Sequence, residues 1–88
     1  MEFPYTYNLS AEFDPLVFWK TVFTLDGYYH SSDQKVFEDP LDGTLLKKYI
    51  SDNGIIEVHC DWDIGAVFVD STLPLEEVLS ERGNTNGL

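Results

Sequence analysis

Between Ile55 and Ser71 the chain reads IIEVHCDWDIGAVFVDS, and this stretch constrains the fold more than any other. Ile56, Val58, Cys60 and Trp62 alternate with Glu57, His59, Asp61 and Asp63, the period of two that a strand with one apolar face requires. Asp63 to Gly65 is a turn signal, so two strands in hairpin arrangement are expected here. On such a strand His59 and Cys60 point to opposite faces and cannot act together as a Cys–His pair. Cys60 joins the apolar side, where a lone cysteine behaves as a small hydrophobe.

Residues 3 to 13 repeat the alternation, with Phe3, Tyr5, Tyr7, Leu9, Ala11 and Phe13 on one side. They predict a half-buried strand, with Pro4 near its start or on a sheet edge because it cannot donate to a ladder. DPLVFWKTVFTLDG, residues 14 to 27, carries two conflicting signals. Asp14 and Pro15 suit a helix start and Gly27 a helix stop, whereas the β-branched and aromatic content and the Asp26-Gly27 pair suit a hairpin. Composition favours a strand over 16–25, a turn, and a second strand over 28–33 containing Tyr28, Tyr29 and His30. EDPLDG is a loop, and TLLKKYISDNG predicts a short helix with Leu45, Leu46, Tyr49 and Ile50 inward. LPLEEVLSER predicts a second helix: Pro74 fits a first turn, Glu76 and Glu77 favour the positive end of the dipole, and Leu75, Val78 and Leu79 form the buried stripe.

The expected fold is therefore α+β, a single domain over 1–82 with a flexible tail over 83–88. It is mainly an antiparallel sheet of about five strands, in the order β-β-β-α-β-β-α, with two short helices on one face. Eighty-eight residues make one domain at most, and six Phe, five Tyr and two Trp supply enough apolar surface for a core.

Charge narrows the function. Sixteen Asp and Glu face five Lys and Arg. From residue 49 to 81 there are Asp52, Glu57, Asp61, Asp63, Asp70, Glu76, Glu77 and Glu81 and no Lys or Arg. Such a field repels nucleic acid and anionic membranes, and it attracts cationic partners while speeding their encounter. One cysteine and an N-terminus without a basic, apolar leader pattern lead to the expectation of a reduced, cytoplasmic protein.

Catalytic motifs fail on inspection. An EF-hand loop counted from Asp61 would need Gly at its sixth position and Glu at its twelfth, where Ala66 and Thr72 stand. The chain has no glycine-rich phosphate loop, and neither His30 nor His59 sits in a triad pattern. His59 and Asp61 could share a metal only with help from elsewhere in the chain. No cofactor, metal or catalytic residue is expected, and the chain is not expected to be an enzyme.

What remains is an acidic surface with aromatic anchors, the composition of a protein interface. The expected partner-binding residues are Glu57, His59, Asp61 and Asp63, spaced along a strand at about 6.7 Å, together with Trp62, Tyr28 and Tyr29. The expected function is a small acidic inhibitor of immunity or nucleic-acid-mimic type. It would occupy the basic surface or active site of a target such as a nuclease. The alternative is a non-catalytic small subunit or regulatory docking module of a larger assembly.

Overall fold

The computed structural model describes residues 3–29 and 35–80. Strand β1 (Tyr5–Ser10) is followed by helix α1 (Pro15–Asp26), then by strands β2 (Phe37–Glu38), β3 (Leu45–Ile50), β4 (Ile55–Asp61) and β5 (Ala66–Ser71). Residues 76–80 are helical. The strands form one antiparallel sheet in the order β1-β5-β4-β3-β2. β2 to β5 run as a meander, and β1 returns to the far edge beside β5. α1 packs over β3, β4 and β5 on the way from one edge to the other. The α+β class, the five antiparallel strands and the two helical segments on one face agree with the sequence. No helix among the described residues is long and apolar enough to cross a membrane.

Two segments exchange the roles expected of them. Residues 16–25 form the helix, not a strand. Asp14 caps it, its carboxylate accepting from Leu16 N at 3.1 Å and Val17 N at 3.3 Å, and Pro15 fills the first turn. Phe18, Thr21, Val22 and Leu25 then fall on one side at helical spacing and are all buried. Strand-favouring threonines are tolerated because their hydroxyls bond back along the helix, Thr21 to Val17 O at 2.8 Å and Thr24 to Lys20 O at 2.9 Å. Cap and periodicity together outweigh intrinsic β propensity.

Conversely, residues 45–50 form β3, not a helix. Leu45, Lys47 and Tyr49 are its buried positions, so a lysine stands where period-two reading looks for an apolar residue. Asp52 and Asn53 make the two-residue connection to β4, closed by Ser51 N to Gly54 O at 3.0 Å. Gly54 is required there by proximity: a Cβ would lie 2.3 Å from Thr72 Oγ1. The expected strand over 28–33 is also replaced in its first two residues. Tyr28 and Tyr29 donate their N–H groups to Leu25 O as the chain leaves α1, and residues 30–33 lie outside those described.

The core sits between the helices and the covered face of the sheet. Phe18 and Leu25 of α1 meet Ile56, Val58, Cys60, Val67 and Val69, and Leu75 and Leu79 close the β5 side. Tyr7 ties β1 to that last segment, donating to Glu76 Oε2 at 2.7 Å and accepting from Leu75 N at 2.9 Å. Gly65, at φ 71°, provides the left-handed residue that turns β4 into β5.

Candidate functional site

Register places the acids of the open sheet face. Glu57 of β4 stands directly opposite Asp70 of β5, and His59 opposite Phe68. Like charges directly opposed across strands are destabilising, and neighbours here offset the repulsion. His59 Nε2 lies 3.1 Å from Glu57 Oε1 and 3.8 Å from Asp70 Oδ2. Lys48 Nζ is 3.8 Å from Glu57 Oε2, and Thr6 donates to Asp70 Oδ1 at 2.8 Å. The imidazole is held flat by stacking on Phe68, ring centroids 4.6 Å apart.

Glu57, His59 and Asp70 each bring a ligand-type atom to within 4.8 Å of the others. Ligands around a divalent ion with bonds of about 2.1 Å are at most about 4.2 Å apart, and the 3.1 and 3.8 Å separations from His59 Nε2 fall inside that span, so the three side chains would need water to complete a coordination shell. All three side chains are partly exposed on the open face. Cys60 takes no part. It lies fully buried on the opposite side of β4, and burial pushes its thiol pKa up, which keeps it protonated and unreactive.

The other expected residues separate. Asp61 continues the open face, but its Oδ1 accepts from Ile64 N at 2.9 Å and so serves the turn. Asp63 lies in that turn, residues 62–65, and not on the strand, so Glu57, Asp61 and Asp63 do not form a straight comb. Trp62 is half-exposed at the same end, its ring meeting Phe13 edge to face at 5.1 Å. Tyr28 and Tyr29 fall at the other end of β4, about 20 Å away at the rise of a strand.

There they line a cavity of about 160 Å³ together with Tyr49, Ser51 and Asn53. Tyr49 is fixed by its hydroxyl, which donates to Asp26 Oδ1 at 2.7 Å and lies 3.2 Å from Val22 O. Burial first, then the Asp26 carboxylate, raises the Tyr49 pKa and keeps the phenol neutral. The expected partner-binding set thus resolves into an acidic open face, an aromatic turn at one end of β4 and a tyrosine-lined cavity at the other.

Several residues escaped the sequence. Asp70 was legible in principle, because closing the hairpin at residues 62–65 sets it opposite Glu57. Tyr49 was hidden by the helical reading of its segment. Leu16, Trp19 and Phe23 form an exposed apolar stripe on the outer side of α1, 64%, 47% and 83% accessible, whose i, i+3, i+7 spacing appears only once the segment is helical. No family model, no curated protein and no solved structure matches this chain.

Proposed function

We propose that the chain is a small acidic protein-binding inhibitor, of immunity or nucleic-acid-mimic type, that occupies the basic surface or active site of a target protein. The observation that carries this is where the charges lie. Lys47, one of five basic residues, is sealed beneath α1, and Lys48 is engaged with Glu57. Glu12, Asp26, Glu38, Asp52, Asp63, Glu76 and Glu77 are all exposed. The surface is therefore more acidic than the composition, and a field of this sign steers cationic partners and repels phosphate.

The test is salt. The tagged chain is used to capture partners from native extract at low ionic strength, and each partner is then purified and assayed against it. A basic nucleic-acid enzyme that the chain inhibits, with an association rate falling steeply as salt rises, is the expected result. Affinity that stays flat across salt abandons charge-steered inhibition.

Flat affinity would favour the second reading, a non-catalytic subunit or regulatory docking module. Its support is the Leu16, Trp19 and Phe23 stripe, because contiguous exposed aromatic surface on a small domain marks an interface more often than chance. Phe23→Ala would then cost more affinity than any single acid.

A further inference from the structure

We infer that the cavity between the end of α1 and the β3–β4 connection is a receptor for one organic cation, the guanidinium or ammonium head of an Arg or Lys side chain presented by the partner. This rests on the acidic-inhibitor reading and names the contact by which it would grip its target.

Size excludes larger ligands. Sites for cofactors and drug-sized molecules run to about 300–1,000 Å³, whereas this cavity measures about 160 Å³. At about 30 Å³ per water it holds about five waters, the room needed by a side-chain head. Chemistry selects the sign. Tyr28, Tyr29 and Tyr49 line it with Ser51 and Asn53 over an apolar floor of Ile56 and Leu73, and among the described residues no Lys, Arg or His lines it. Aromatic rings attract cations through their quadrupole, while a hydroxyl and an amide oxygen accept hydrogen bonds from an ammonium or guanidinium.

Two carboxylates stand close by in the chain. Asp26 is bonded to the Tyr49 hydroxyl at 2.7 Å, and Asp52 is exposed between Ser51 and Asn53. Neither lines the cavity, and both add negative charge beside residues that do. The opposing charge is Lys47, whose amine lies 5.2 Å from the Tyr49 ring centroid. Like the two acids, Lys47 does not line the cavity, and the acids outnumber it. That contact also shows a tyrosine of this cluster already accepting a cation.

The walls are set before any guest arrives. Tyr49 is buried and hydrogen-bonded at its far end, the Tyr28 and Tyr29 amides are tied to Leu25 O at 2.9 and 2.8 Å, and Gly54 holds the hairpin turn against Thr72 and Leu73. A preformed cup loses little entropy on binding.

The test titrates the isotope-labelled full chain with N-acetyl-arginine methylamide and its lysine counterpart, with the citrulline analogue, neutral and of the same shape as arginine, as control. Expected are saturable amide shifts concentrated at Tyr28, Tyr29 and residues 51–54, with a dissociation constant on the order of 10 mM and no response to citrulline. Tyr29→Leu keeps apolar bulk, removes the ring and weakens binding about threefold or more. Should that variant unfold, Tyr28→Ala, at a half-exposed position, reads the same loss.

Shifts spread over Glu57, Asp61 and Glu76 and unchanged in Tyr29→Leu would overturn the cup. An equal response to citrulline, or no response to any probe, would overturn it too. A Tyr29→Leu chain that loses arginine but inhibits a basic target with unaltered salt dependence sinks the cup alone. Arginine bound in the cup with no basic target inhibited sinks the inhibitor reading and leaves the cup.

Discussion

Along β4 the covered side carries Ile56, Val58 and Cys60, all within 1% of complete burial, while the open side carries Glu57, His59 and Asp61, each partly in water. The two sides draw on different physics. Sealing an aliphatic side chain is worth about 1.5–3 kcal/mol, and an exposed ion pair about 0–1 kcal/mol. Seven residues of one strand thus specify the fold with one set of side chains and leave the other set nearly free of structural duty. A face that contributes little to stability is one that binding can reshape at small cost.

The covered side is where substitution should hurt most. Phe18 is the largest fully buried side chain and meets the sheet from α1. Phe18→Ala should lose about 3–5 kcal/mol, measured by urea unfolding with an unchanged m-value. A loss below about 1 kcal/mol would mean that the helix is not seated on the sheet as described.

Tyr49 joins the two layers and should come next. Tyr49→Phe removes a buried hydroxyl bonded to a carboxylate and should cost about 1.5–3 kcal/mol. It should also change the pH response. Because burial and Asp26 raise the folded Tyr49 pKa above its unfolded value, the phenol's contribution is fully present below about pH 10 and is lost as pH rises beyond it, at up to about 1.4 kcal/mol per pH unit. The wild type should therefore weaken more steeply than Tyr49→Phe between about pH 10 and 11. Parallel curves would place the hydroxyl outside the core network.

Lys47 shows why part of this was unreadable. The period of two in β1 and β4 is clean, so those strands and their faces were legible, as was the last helical segment from Leu75 and Leu79; β5 was legible as a strand but not by face, since Ala66 to Val69 are all apolar and the buried Ser71 is polar. In β3 the central covered position is a lysine, and LLKKYI reads as easily as a helix with two apolar pairs. For α1 the cap residues Asp14 and Pro15 pointed correctly, yet an outer stripe of Leu16, Trp19 and Phe23 beside the inner one blurred the helical period. The acids were legible one by one, but the Glu57–Asp70 pairing depends on register, and the tyrosine-lined cavity depends on both misread segments. Lys47 forms no ion pair among the described residues, and taking an amine out of water without a carboxylate is costly. Lys47→Met, similar in length and apolar, should raise stability by about 1 kcal/mol or more. Destabilisation would show that the amine's contact with the Tyr49 ring outweighs the cost of taking it out of water.

The smallest effect belongs to the open side and decides whether the contrast holds. Glu57→Gln removes one of two opposed carboxylates and relieves repulsion with Asp70. It also loses the charge that Lys48 and His59 face, so the terms oppose and the net change should stay within about 0.5 kcal/mol. Added salt should stabilise the wild type near neutral pH, because sixteen acids against five bases repel one another. Glu57→Gln should respond slightly less, having one acid fewer. A loss above about 2 kcal/mol, the range of a core truncation, would make the Glu57–His59–Asp70 network a structural clasp. A face held that way would not be free to rearrange around a partner, and the search for the binding surface would move to α1 and the tyrosine-lined cavity.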